Sequence, residues 1–469
     1  MDRATTAAPA PSESDVNSTP LRAAWQHDHL GERSRALLAR DSRAFLHQSV
    51  STPCLAPVVK AEGLYIEDMD GRRYMDFHGN NVHHVGHAHP HVVGAIKAQL
   101  DDLTFAPRRF ASERAVELAE ALGARFRALT GHAGRVLFTT GGSDAVEVAM
   151  RLARIATGRF KTLSFWDAFH GAGFGASSVG GESLFRGGRH GPLLPGSEHV
   201  APFGCYRCPY GHPVDADGRP RLEACALACA NMVRYVLERE GDVAAIIAEP
   251  ARAVPYVPPP GYWQAVREAC NEHGTLLIFD EIPTGLGKTG RFFAAEHDGA
   301  VPDIVVLGKA LGGGVLPIAA CIARDDLNLA GAYALGHYTH EKNPVTAAAA
   351  LATLEVIERD DLVANAARVG ARALERMHDM KRRHPLIGDV RGRGLLLGIE
   401  LVEDRNSKRP ARAAAERVLY RALSRGLSFK TTMGNVLTLT PPLTLTDGEL
   451  DRALDILEAS LAEERTGRA

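Results

Sequence analysis

Short apolar runs recur through the middle of the chain at 135–139, 162–165, 243–248, 276–279 and 303–307. They are rich in Val, Ile, Leu and Phe, and most are too continuous to have a solvated face. That is the pattern of strands buried on both sides. Around and between them, apolar residues recur at i, i+3 and i+4, which predicts amphipathic helices over 90–103, 113–129, 145–157, 225–240 and 261–273. Alternating strands and helices from 135 to 323 predict an α/β protein with a doubly wound, mostly parallel sheet.

The chain ends read differently. Residues 63–77 alternate apolar and polar positions on either side of Asp70-Gly71, a hairpin signal. Residues 20–45 are helical in pattern and expected to pack across another subunit or domain. Beyond helices at 343–358 and 361–384 come strands at 390–402, 427–429 and 436–439 and helices at 411–425 and 447–463. The expected division is a disordered tail (1–20), an N-terminal segment (21–85), a large domain (86–345) and a C-terminal part (346–469). The small α+β domain draws on both ends. Residues 172–224 are rich in Gly, Pro and Arg without periodicity and read as a long functional loop.

Composition narrows the function. Of 469 residues, 45% are hydrophobic and 23% charged, as in soluble globular proteins, and a net charge of −2 gives no basis for binding nucleic acid or anionic membranes. No apolar run is long enough to span a bilayer. The first twenty residues lack an apolar core and carry Asp2, Glu13 and Asp15, so neither a signal nor a transit peptide is expected. Seven cysteines without a secretory signal point to a cytoplasmic enzyme.

The candidate chemistry collects at strand ends, where ligands bind in such sheets. Asp280 ends the run at 276–279, and Lys309 follows the run at 303–307. An acid and a lysine on neighbouring strand ends suit pyridoxal phosphate: the lysine forms a Schiff base, and the acid keeps the pyridine nitrogen protonated. Gly142 and Ser143 open a helix after a strand, an arrangement that binds anions. Phe169 and His170 follow the strand at 162–165, where an aromatic ring can stack on a flat cofactor. Glu249 closes the strand at 243–248.

Five histidines lie in 78–89, in a spacing that matches no zinc pattern; no metal is expected there. Asn80, Asn81 and His83 in this loop are candidate substrate donors, and Arg108 and Arg109 candidate anion clamps. Cys205, Cys208, Cys225 and Cys229 suggest structural zinc, but a Cys-x3-Cys pair on a helix departs from a zinc knuckle.

At this point the motifs resemble a family. FDEIPTGLGKTG (279–290) and DIVVLGKALGGG (303–314) are similar to the class III aminotransferases of fold type I. GGSDAVE (141–147), Phe169-His170-Gly171, Ala248-Glu249-Pro250 and Asn343-Pro344 fall in the family's order. The resemblance implies that Lys309 is the Schiff-base lysine and Asp280 the pyridinium partner. It implies that Gly142 and Ser143 hold the phosphate, and that Phe169 and Ile282 cover the two ring faces. It also implies that Thr339 reaches the phosphate of a neighbouring subunit, hence a homodimer with shared sites.

The departures bear on substrate. Pro283 stands where the family has glutamine, Lys288 where it has arginine, and Glu341-Lys342 where it has Gly-Gly. The arginine many members carry before Pro-Pro-Leu is missing from 436–440, while Arg252 appears after Glu249-Pro250. Together these features resemble the lyase branch that converts a hydroxylated aminoethylphosphonate to phosphonoacetaldehyde and ammonia. Arg252, Arg108, Arg109 and Lys342 are then the candidate cations for the phosphonate. A transaminase moving the amine to a keto acid is the alternative.

Overall fold

The computed structural model describes residues 19–48, 51–215 and 218–466. Most of the expected tail, residues 1–18, lies outside them; Thr19 caps the first helix through its hydroxyl, and Pro20 opens it.

Seven strands form the central sheet: β1 (Gly134–Thr139), β2 (Lys161–Phe165), β3 (Ser197–Val200), β4 (Val243–Ala248), β5 (Leu276–Asp280), β6 (Ile304–Leu307) and β7 (Ala319–Arg324). Their spatial order is β1-β7-β6-β5-β4-β2-β3. β4, β5 and β6 are buried along their whole length, which is why their sequences show no alternation. β3 was hidden in the presumed loop. It pairs only with β2, lies at the sheet edge and reads Ser-Glu-His-Val, so it carries no buried run.

β7 runs antiparallel to both β6 and β1. The eleven residues between β6 and β7 (308–318) turn through Gly313 and Gly314 at φ of 68° and 73°. A parallel return needs a crossover of a dozen or more residues, usually a helix. None fits here, so the chain returns antiparallel and the turn carrying Lys309 is held between adjacent strands.

The chain ends meet in two smaller sheets. Val58–Glu62, Tyr65–Asp68 and Arg73–Asp76 form a meander, and Leu427–Ser428 joins it parallel to Arg73–Asp76. The second sheet is antiparallel, in the order Ile387–Arg393, Leu396–Leu401, Val436–Leu439, Lys430–Thr432.

The helical pattern at 20–45 resolves into Pro20–His29 and Glu32–Ala44, broken at Gly31, whose N–H donates to Asp70 Oδ2 at 2.9 Å. These helices dock on their own chain: Trp25 is buried against Tyr74 and Leu423, and its indole donates to Ser424 Oγ at 3.1 Å. The single helix expected over 225–240 is two, Leu222–Cys225 and Ala228–Glu240, separated by Ala226 and Leu227 in the left-handed region.

Candidate functional site

Asp280 ends β5, the middle strand of the seven-stranded sheet, and is 1% exposed. Its Oδ1 accepts the Ile282 N–H at 3.1 Å, and its Oδ2 lies 2.7 Å from His170 Nδ1. The acid is an acceptor, so His170 carries its proton on Nδ1. His170 Nε2 is buried without a hydrogen-bond partner. The pair fixes one carboxylate in a water-poor position, ready for a further protonated nitrogen.

β1 ends at Thr139, and Gly142 opens the helix Gly142–Thr157. The first N–H groups of a helix have no intrahelical acceptor, and the helix dipole favours an anion there. A Cβ at Gly142 would lie 2.7 Å from Ile282 Cδ1, so only glycine lets Ile282 approach. Ser143 Oγ accepts the Gly173 N–H at 3.0 Å, which ties this helix start to the loop after β2. Phe169 on that loop is half-buried, its ring 4.6 Å from Phe185. Glu249, at the end of β4, is buried and accepts the Ala253 N–H at 3.4 Å.

Lys309 follows β6 and sits at φ 45°. A left-handed non-glycine residue costs about 1 kcal/mol or more; the clamp between β6 and β7 holds it there. An amine and a buried carboxylate thus stand at the ends of the neighbouring strands β6 and β5, with a helix N-terminus at the end of β1, on the far side of β7. The set suits a flat nitrogen heterocycle bearing a carbonyl and a phosphate. Thr339 is exposed in the turn at 338–342.

The substrate candidates spread out. Asn80 and Asn81 adopt φ of 47° and 59°; Asn80 is exposed, whereas Asn81 is buried with its Oδ1 unpaired. His83 is fully buried and donates from Nε2 to the Asp76 carbonyl at 2.9 Å, bracing the loop from behind. Arg252 is 4% exposed; its guanidinium donates to the Asp167 carbonyl and lies over the Tyr256 ring. Arg108 is exposed, 3.5 Å from Glu341, and Arg109 and Lys342 are exposed. Lys288, one of the departures read as bearing on substrate, is fully buried. Its ammonium donates to the Thr440 and Pro441 carbonyls at 3.3 and 2.6 Å, and burial pushes it down to about 7. It pins the Pro-Pro-Leu segment from within.

Among the described residues, one group of three possible metal ligands has its atoms within 4.8 Å of one another: Asp76, His83 and His87. Sequence spacing missed the acid because Asp76 precedes the histidine loop. Its Oδ2 is 2.9 Å from His87 Nε2. Burial opposes its ionisation, but the His87 bond, His83 and the N–H groups of His78 and Gly79 outweigh that and hold the carboxyl well below its usual range. Cys205, Cys208, Cys225 and Cys229 are free thiols lining one small pocket with Tyr210 and His212.

Two residues here, His78 and Lys430, had no role assigned from the sequence. His78 accepts the Asn80 N–H on Nδ1 at 3.2 Å, and its carbonyl accepts the Thr440 hydroxyl at 3.3 Å. Lys430 stands directly opposite Thr438 on the neighbouring strand. The available signal was Gly434, whose turn makes 430–439 a hairpin and fixes that register.

No helix among the described residues is long and apolar enough to cross a membrane. Similarity to known proteins agrees with the geometry. The chain is 45% identical over 459 residues to the (R)-1-hydroxy-2-aminoethylphosphonate ammonia-lyase of Vibrio splendidus, covering 96% of this chain and 95% of that protein. It is 38% identical to the leucine/methionine racemase of Thermococcus litoralis, covering 93% and 97%. It superposes on an amine transaminase from an uncultivated Pseudomonas species, solved in its PLP-bound form, with a TM-score of 0.83, 33% identity and coverage of 90% and 98%. Residues 47–461 match the aminotransferase class-III family, and the chain belongs to that family.

Proposed function

We propose that this protein is a pyridoxal-phosphate-dependent ammonia-lyase acting on a β-hydroxy amine that bears a phosphonate, such as (R)-1-hydroxy-2-aminoethylphosphonate. The observation that carries this reading is the 45% identity to the Vibrio splendidus lyase across nearly the whole of both chains. The lack of an arginine at 436–440 supports it, because a site selecting an α-carboxylate calls for one there.

Bound pyridoxal phosphate supplies a carbonyl for the substrate amine and a ring that draws electrons from the adjacent carbon. Lys309 would hold that carbonyl and, once released by the substrate amine, would take the proton from the amine-bearing carbon. Asp280, oriented by His170, would keep the ring nitrogen protonated. Gly142 and Ser143 would receive the phosphate and Phe169 and Ile282 would flank the ring, while Glu249 lies buried at the neighbouring strand end. Loss of the proton from the amine-bearing carbon and of hydroxide from its neighbour leaves an enamine. Hydrolysis of the enamine returns the water and yields phosphonoacetaldehyde and ammonia, with no amino acceptor.

The working unit is a homodimer in the cytoplasm. Thr339 lies exposed where it can serve a partner's site, and Phe105, Phe110, Phe174, Val315 and Tyr333 are exposed apolar side chains that a second copy would cover. All seven cysteines are unpaired, as a reducing compartment requires. The large and small domains divide at 85 and 345, with residues 21–85 serving the small domain and the dimer contact.

The second reading, transfer of the amine to a keto acid, is favoured by the likeness to the amine transaminase structure. One assay separates them. Holoenzyme and the hydroxy-aminophosphonate, incubated without any keto acid, should release ammonia over many turnovers. Absence of sustained ammonia release, with the amino group appearing on added pyruvate or 2-oxoglutarate as alanine or glutamate, makes the protein a transaminase.

A further inference from the structure

We propose that Lys430 is the cation that receives the anionic end of the substrate, standing in for the arginine absent before Pro441. This deepens the reading above and rests on its premise of an anionic amine.

The argument starts from strand register. Lys430–Thr432 lies antiparallel to Val436–Leu439, with Lys430 opposite Thr438 and Thr432 opposite Val436. The hydroxyls of Thr432 and Thr438 bond to each other at 2.8 Å, so those side chains share a face. Lys430 is two residues from Thr432 and directly opposite Thr438, so alternation puts it on the same face. An arginine in 436–440 and a lysine at 430 are therefore two ways of delivering a cation from one hairpin.

That face leads to the site. Thr440, next in the alternation after Thr438, donates its hydroxyl to the His78 carbonyl. The turn at 79–81, directly after His78, packs against the turn at 309–312 that carries Lys309, so this face borders the cofactor lysine. Lys430 is half-buried, and no ion pair holds it among the described residues. A half-buried ammonium without a carboxylate is poorly compensated until an anion arrives.

Three other cations are already engaged. Arg252 holds the Asp167 carbonyl, Lys288 holds the Thr440 and Pro441 carbonyls, and Arg108 lies beside Glu341. The ligand class is a compact oxyanion two carbons from the amine. An ammonium, a point charge with three donors, suits a tetrahedral phosphonate better than the bidentate fork that a planar carboxylate selects.

The test uses holoenzyme with Lys430→Ala, Lys430→Gln and Lys430→Arg. Three probes share one length: 2-aminoethylphosphonate, 3-aminopropanoate and ethanolamine, the last without an anion. Binding is read from the cofactor absorbance change on titration, and methylphosphonate binding is read separately by calorimetry. Lys430→Ala and Lys430→Gln should weaken both phosphonates by about 10- to 100-fold. Lys430→Arg should recover most of that, and ethanolamine should bind alike to all four proteins. Unchanged phosphonate binding in Lys430→Ala or Lys430→Gln overturns the assignment. So does an equal loss for ethanolamine, or a wild type that binds no anionic probe more tightly than ethanolamine. Ammonia release is scored apart from binding. Lys430-dependent binding without ammonia release keeps this inference and discards the lyase reading.

Discussion

Asp280 and Lys309 lie 29 positions apart and reach the site from neighbouring strands, whereas Lys430 and His78 come from opposite ends of the chain. The first pair depends on two buried strands and the turns that close them. The second depends on a hairpin near the C-terminus, a loop following an N-terminal strand and the Thr440–His78 bond between them. The cofactor side is thus assembled by succession along the sheet. The substrate side is assembled by docking of remote segments, and Lys288 secures it from below through two backbone carbonyls. Chemistry common to a family can be kept on the first side while specificity changes on the second.

Four substitutions probe that division, in order of their expected effect on turnover. Lys309→Ala should lower ammonia release by about 10⁴-fold or more and abolish the absorbance of the lysine-bound cofactor; retention of that band would remove Lys309 from its role. Asp280→Asn should cost about 10²- to 10³-fold in kcat, since it deletes the buried negative charge that the proposed mechanism assigns to the ring nitrogen. A kcat within a few-fold of wild type would show that the acid is only structural.

Gly142→Val should weaken cofactor binding by about 10- to 100-fold, because the added carbons press on Ile282. Titration of the cofactor-free protein with pyridoxal phosphate reads this, and kcat at saturation should change far less. The effect of Lys288→Met falls on stability instead. The native Lys288 amine titrates at about 7 against 10.5 in the unfolded chain. Between those values the unfolded state holds a proton that the native state lacks, so wild-type stability gains from this group as pH rises through that window. Lys288→Met should lose that gain between pH 7 and 9 in denaturant titrations; an identical pH slope in the two proteins would refute the assignment. Burial pushes the Glu281 carboxyl up to about 7, at the edge of this window, but both proteins contain it and its contribution cancels in the comparison.

The same division decides what the sequence revealed. Buried parallel strands have to be continuous apolar runs, so β4, β5 and β6 were legible, and with them Asp280, Lys309 and the glycines of the helix start. β3 was not, because an edge strand with one pairing partner needs no apolar run. Asp76 escaped notice beside the histidines because a ligand-spacing rule counts along the chain, and the loop folds back on the strand before it. Lys430 escaped because it is an ordinary lysine on a three-residue strand. Its meaning lies in the residue opposite, which register alone reveals. Lys288 is the converse case: a departure inside a catalytic motif reads as a change of substrate, and its side chain is buried as a brace on the Pro-Pro-Leu segment.

Thr440 and the His78 carbonyl it binds are 362 residues apart, and the parallel pairing of Leu427–Ser428 with Arg73–Asp76 spans nearly as far. Ribosomes add about 5–20 residues per second. The strands carrying Asp280 and Lys309 therefore emerge well before the hairpin that carries Lys430. During synthesis there is an interval in which the cofactor's lysine, acid and helix start exist while the wall that would select a substrate does not. A nascent chain in that interval could take up cofactor before it could choose what to react with.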